Sequence, residues 1–151
     1  MEQIPPKEAC DSYIYDPKNA PKQLPCSAYG PSEVFIPLDY SELEKRCDVL
    51  CYTTASFEVE TLLVGSAKLE FFASSSCVDT DWLARVTVVT KDGASIRLSD
   101  NIINAQYRFG MDRRVPLTPG RAEQFTIEMP YFAHCFQKGD CLRLEITSAG
   151  D

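Results

Sequence analysis

One histidine and one tryptophan stand in 151 residues. A chain this poor in imidazole offers few ways to build a general base. No two cysteines have the Cys-x-x-Cys spacing of a zinc site, which leaves Cys47-x-x-x-Cys51 and His134-Cys135 as incomplete ligand sets. Basic runs are absent, the net charge is −7 and the pI is near 4.7, so nucleic acid and anionic membrane are excluded as electrostatic partners. The apolar runs fall far short of the ~20 residues a spanning helix needs. Met1 to Pro6 lacks the basic start and apolar stretch of a secretory signal, and the expected location is the cytoplasm. No segment sustains an i, i+3, i+4, i+7 apolar stripe, so little helix is expected.

What is present reads as strand. Val64, Ala67, Leu69, Phe71 and Ala73 alternate with Lys68, Glu70 and Ser74. Trp82, Ala84, Val86 and Val88 alternate with Arg85 and Thr87. Period-two alternation marks half-buried strands. The two segments flank a turn, Ser74 to Trp82, rich in side chains that bond their own backbone, and are expected to form a strand pair. Further strands are expected at Val49–Thr53, Ser95–Leu98, Ala105–Arg108, Glu123–Met129 and Leu142–Thr147, with short ones at Ser12–Tyr15 and Val34–Ile36. Lys91-Asp92-Gly93 predicts a hairpin turn, because Asp-Gly takes the positive φ such turns need. Leu117–Gly120 and Lys138–Asp140 predict two more turns. Residues 1–46 carry seven of the ten prolines and read as a Pro-rich extended arm of the domain, with one helical turn near Glu42–Arg46. Residues 47–151 read as a β-sandwich. The seven cysteines, an odd number without a signal sequence, are expected to be reduced and mostly buried.

Several strings, in register, resemble the C-terminal β-sandwich of the cocaine esterase and X-prolyl dipeptidyl-peptidase superfamily of serine hydrolases. They are Tyr13-Ile14-Tyr15-Asp16-Pro17, Pro37-Leu38-Asp39, Asp48-Val49-Leu50-Cys51-Tyr52-Thr53-Thr54, Ser74-Ser75-Ser76, Asp79-Thr80-Asp81-Trp82, Asp92-Gly93, Tyr107-Arg108, Leu117-Thr118-Pro119-Gly120 and Leu142-Arg143-Leu144-Glu145-Ile146. The resemblance implies a mainly β fold, a jelly-roll or galactose-binding-like sandwich. It also implies that a catalytic triad would sit on a separate, preceding α/β-hydrolase domain acting on ester, amide or X-Pro peptide bonds. Two departures stand out. The family has Gly-His where this chain has Gly139-Asp140. The family's domain also continues beyond the point matching Asp151, which implies a sandwich lacking its final strand or strands and a Leu142–Ile146 strand left partly uncovered.

No catalytic residue is expected in this chain. The nearest string to a Gly-x-Ser-x-Gly nucleophile elbow, Gly93-Ala94-Ser95-Ile96-Arg97, ends in arginine and lies in a hairpin. His134 and Cys135 are neighbours, and adjacent strand residues point to opposite faces. The candidates for an interdomain or turn-stabilising role are Asp79, Asp81, Trp82, Tyr107 and Arg108. Asp79 and Asp81 are expected to cap turn amides first, meet another domain second and bind a hard cation third. Trp82 is expected in the core. No cofactor or metal is expected. The expected partner is an α/β-hydrolase domain, in cis or trans, or a second copy of the chain. The alternative is a stand-alone carbohydrate- or Ca²⁺-binding jelly-roll module.

Overall fold

The computed structural model describes residues 10–20 and 38–148. The expected strand at Val34–Ile36, Cys26 and most of the arm's prolines lie outside the described residues. Eight strands follow one another: β1 (Val49–Thr53), β2 (Thr61–Gly65), β3 (Lys68–Ala73), β4 (Asp81–Val89), β5 (Ser95–Asn104), β6 (Glu123–Glu128), β7 (Phe132–Phe136) and β8 (Cys141–Thr147). All pairings are antiparallel and nested, β1 with β8, β2 with β7, β3 with β6 and β4 with β5. This is the order of a chain folded double and rolled up, the jelly-roll arrangement. A further pairing of β4 with β8 joins the outermost and innermost pairs into one sheet, β1-β8-β4-β5. The two middle pairs form one long ribbon. Between Gly65↔Phe132 and Lys68↔Glu128, Ser66 and Ala67 stand opposite Met129, Pro130 and Tyr131. One extra residue, with a proline that cannot donate to the ladder, bends the ribbon there.

Alternation explains the layering. Trp82, Ala84 and Val86 of β4 and Ile146 of β8 face inward and meet Phe125, Ile127 and Met129 from the β6 side, with Ala105 and Leu117 closing one end. Phe71, Trp82 and Phe125 form an aromatic centre with ring centroids 5.6–6.1 Å apart. Tyr13, from the N-terminal arm, packs edge-on against Trp82 at 6.3 Å and hydrogen-bonds Ser148 Oγ at 2.7 Å through its hydroxyl. Burial pushes that phenol up to about 12.

The opposite face of the four-stranded sheet is ionic and is covered by a strap, residues 38–46. Tyr40 N donates to Ser95 O at 2.7 Å, and Asp39 bridges Ile96, which adds a rung to the outer edge of β5. The strap then makes a 3-10 turn, Leu43–Lys45, and reaches β1, where the Arg46 guanidinium grips both Asp48 carboxylate oxygens at 2.8 Å. That grip holds the Asp48 carboxyl below the usual range.

Five expectations are corrected. The cysteines are not mostly buried, since Cys10, Cys47, Cys51 and Cys77 are exposed and Cys135 and Cys141 half-buried. The alternating segments flanking Ser74–Trp82 are not a pair, since β3 belongs to the ribbon and β4 to the sheet. Both need the same core, so the turn crosses between layers. Val64–Ala73 is two strands broken at the bend. Ala105–Arg108 is a 3-10 turn over Ala105–Tyr107, started by Asn104, whose side chain accepts from Gln106 N. Ser12–Tyr15 is extended but pairs with no strand among the described residues, serving the core through Tyr13. The Leu142–Ile146 strand has both edges paired, to β1 and β4, while Leu142 and Leu144 stay half-buried. One strand, β7, was not foreseen. The turns behave as read: Gly93, Gly120 and Gly139 have φ of +91°, +75° and +98°. At the third, Asp140 accepts from Gln137 N at 2.8 Å, so its carboxylate closes the turn.

Replacing Phe125, 1% exposed at the aromatic centre, with alanine is expected to cost ~3–5 kcal/mol in urea unfolding, out of a domain margin of ~5–15 kcal/mol. A cost below ~1 kcal/mol would place Phe125 outside the core.

Candidate functional site

Four of the five candidate side chains belong to elements that meet at one end of the sandwich, and the fifth, Asp79, lies in the same loop. Two long connections form that end, residues 74–80 between β3 and β4 and residues 105–122 between β5 and β6. Backbone bonds clamp them together: Ala105 N to Thr80 O and Gly120 N to Ser75 O at 2.8 Å, and Leu117 N to Val78 O at 2.9 Å. Gln106 Nε2 adds a bond to Val78 O at 3.4 Å. The serine-rich segment serves its own turn, with Ser75 Oγ accepting from Cys77 N at 3.1 Å.

Trp82 is buried in the core, and among the described residues its indole N–H has no hydrogen-bond partner. Asp81 lies opposite Asn104 in the β4–β5 ladder and accepts from Asn104 Nδ2 at 2.9 Å. Asp79 is exposed, and its carboxylate makes no hydrogen bond among the described residues. The two aspartates thus differ in environment, and the turn amides are capped by Ser75 and Asn104 instead. Among the described residues no group of three or more His, Cys, Asp or Glu side chains is placed to hold a metal ion.

Arg108 organises the second connection. Its side chain is 3% exposed and donates from one terminal nitrogen to Ala105 O at 2.8 Å and Val115 O at 2.6 Å, while the other pairs with Glu123 at 2.6 Å. Val115 N returns a bond to Gln106 O at 2.8 Å, which closes residues 107–114 into a projecting loop. Tyr107 accepts from Gly110 N through its carbonyl at 2.9 Å. At the loop's tip Phe109 and Met111 are 64% and 83% exposed, with Arg113 beside them. Such side chains, on a loop held from within by a buried guanidinium, suit contact with another protein surface.

The groups that could do chemistry are kept apart or blocked. Ser95 is fully buried on β5, its hydroxyl bonded to Thr87 Oγ1 at 2.9 Å and to the Glu44 carboxylate of the strap. His134 lies on β7, in the other layer, edge-on to Phe136 at 4.8 Å. Burial, with Glu60 nearby, pushes the adjoining Cys135 thiol up and away from the reactive thiolate. No serine–histidine or thiol–imidazole pair is assembled among the described residues.

Residues 5–150 match the model of the X-Pro dipeptidyl-peptidase C-terminal non-catalytic domain. The chain belongs to that family. It is 29% identical over 147 residues to cocaine esterase of Rhodococcus sp. (strain MB1 Bresler), an alignment covering 94% of this chain and 25% of that protein. Among solved structures it superposes on an aminopeptidase from a marine sediment Thaumarchaeota archaeon with a TM-score of 0.81 at 25% identity, over 92% of this chain and 25% of the other. An α-amino acid ester hydrolase shares the fold at a TM-score of 0.71 and 24% identity, over 75% and 20%. The chain thus spans about a quarter of the length of the relatives it matches. A non-catalytic member of this family fits a chain in which no nucleophile meets a base among the described residues.

The sequence pointed to Arg108 only by its place in a string. The residues that receive its bonds, Ala105, Val115 and Glu123, and the exposed Phe109 and Met111, carry no pattern of their own and were not foreseen. Replacing Arg108 with alanine would leave Glu123 and two carbonyls without their donor. The expected cost is ~3–5 kcal/mol, with hydrogen exchange of residues 106–115 accelerated more than that of β8. A cost below ~1 kcal/mol, or uniform acceleration, would show that Arg108 does not hold the loop.

Proposed function

We propose that this chain is the accessory domain of a serine hydrolase acting on ester, amide or X-Pro peptide bonds. In this reading it supplies a docking surface, an active-site wall or an oligomer contact, and an α/β-hydrolase domain in cis or trans supplies the triad. The observation that carries the reading is the family match over residues 5–150, joined to the separation of Ser95 from His134 in opposite layers. The end of the sandwich bearing Asp79, Tyr107 and the Phe109–Met111 tip is the candidate contact with the catalytic domain, and a homodimer contact is the second use of such a surface. The hydrolases among the matched relatives give no support to a stand-alone carbohydrate- or Ca²⁺-binding module. We assign the protein to the cytoplasm on the free thiols of Cys47, Cys51, Cys77, Cys135 and Cys141. No helix among the described residues is long and apolar enough to cross a membrane.

The purified chain is expected to give no turnover of activated esters or X-Pro amides above buffer. The coding sequence upstream is expected to encode an α/β-hydrolase with Gly-x-Ser-x-Gly. Turnover that survives Ser95→Ala would contradict the reading, because a nucleophile would then lie elsewhere in the chain.

A further inference from the structure

The strap crosses a face of the sheet that holds a buried carboxyl with an unanswered oxygen. Glu145, on the central strand β8, has a side chain that is 0% exposed. Its Oε2 accepts from the Arg85 guanidinium at 3.1 Å. Its Oε1 is buried and has no hydrogen-bond donor among the described residues. A second carboxyl, Glu44 from the strap, lies within hydrogen-bonding reach of the Glu145 side chain and is itself only 5% exposed. Glu44 is itself committed, through one oxygen to the Ser95 hydroxyl and through the other to Arg143. Two ionised carboxylates are acceptors only and cannot bond each other, whereas a protonated one donates. One proton on the Glu145 carboxyl turns the contact with Glu44 into a bond.

We propose that Glu44 and Glu145 share a single proton, and that its loss releases the 38–46 strap from the sheet, making the pair a pH-operated latch over the β5 edge. The surrounding charges are consistent with this. Among the described residues β4 contributes Arg85, β8 contributes Arg143 and β5 contributes Asp100, which pairs with both Arg85 and Arg97. β1 places Cys51 directly opposite Glu145. Burial, reinforced by Glu44 and Glu145, pushes that thiol up to about 11, so it stays neutral. Tyr40 stacks on Arg85, its ring centroid 3.8 Å from the guanidinium carbon. With Glu145 neutral, Arg85 and Arg143 answer Glu44 and Asp100. Ionising Glu145 adds an anion beside Glu44 where solvent does not reach, and like charges at hydrogen-bonding range in a dry site repel strongly. Glu44 is the mobile partner because it rides on a three-residue 3-10 turn, while Glu145 is fixed between two strands.

Burial raises the Glu145 carboxyl from 4.5 to about 8, with Arg85 opposing and Glu44 reinforcing the shift. In the unfolded chain the group ionises near 4.5, while in the folded state it keeps its proton to about 8. The native state therefore holds more protons over that window, and its stability falls as pH rises through it. Release of the strap removes the Tyr40–Ser95 bond and the Asp39–Ile96 bridge. It leaves β5 with an unpaired edge, a template for strand addition by another chain.

Trypsin cleavage after Lys45 and Arg46 in the 151-residue chain reads the strap directly, with rates normalised to an unstructured reporter peptide at each pH. Between about pH 7 and about pH 9 the ionised-to-protonated ratio of a group titrating near 8 rises ~100-fold, so strap cleavage is expected to rise by about tenfold or more. Glu145→Gln keeps an N–H donor toward Glu44 and has no proton to lose, and its normalised cleavage is expected to stay flat. A flat wild-type profile, or a Glu145→Gln profile that rises like the wild type, overturns the proposal. Should that variant fail to fold, the infrared carbonyl band of a protonated carboxyl decides the matter in the wild type. It is expected below the transition and lost through it, and its absence below the transition also overturns the proposal.

Discussion

Strand β8 comes last among the described elements and yet has a partner on each side, β1 and β4. The four-stranded sheet depends on that placement. Without β8, β1 would pair with no described strand, because its only ladder among the described residues is Val49↔Thr147 through Thr53↔Arg143. Strand β4 would keep only β5. The register also sorts β8's side chains: Leu142, Leu144 and Ile146 go to the layer interface, and Arg143, Glu145 and Thr147 go to the face under the strap. A slip of one residue would exchange the sets, placing Glu145 against Phe125 and Trp82 and taking it away from Arg85. The strand is specified from both faces.

The two faces hold the domain by different physics. Inside, aromatic and aliphatic side chains from both layers are removed from water, and the aromatic edge contacts add to area burial. Outside, the sheet carries ion pairs and hydroxyls beneath a short strap. A buried ionic face contributes little net stability beside an apolar one, and breaking it by removing one partner is costly. It therefore fixes where the strap lies more than how stable the sandwich is. Residues 38–46 thereby belong to the sandwich physically, although their proline-rich surroundings read as an arm.

Strand existence was legible wherever alternation was strong, as in Trp82–Thr90 and Leu142–Thr147. Strand pairing was not. Leu69, Phe71 and Ala73 alternate like Trp82, Ala84 and Val86 because both sets face one core from opposite layers, and a pattern records burial without recording the neighbour. Ala105–Arg108 looked like a strand end because its apolar residues are buried, but Asn104 caps a 3-10 turn there. Phe132–Phe136 was missed because the apolar and polar residues of Phe-Ala-His-Cys-Phe do not alternate cleanly. Of the candidate side chains, Trp82 was read correctly as core from its strand-start position. The bonds of Arg108 come from residues distant in sequence or from backbone carbonyls, which leave no trace in residue type.

The domain rests on a sandwich held by its central strand. Native-state hydrogen exchange tests that dependence most directly. The β8 amides are predicted to exchange only with global unfolding, more slowly than those of β1 at one edge of the sheet and β5 at the other. Exchange of β8 as fast as β1 or β5 would contradict the account, because the strand would then open without the sandwich.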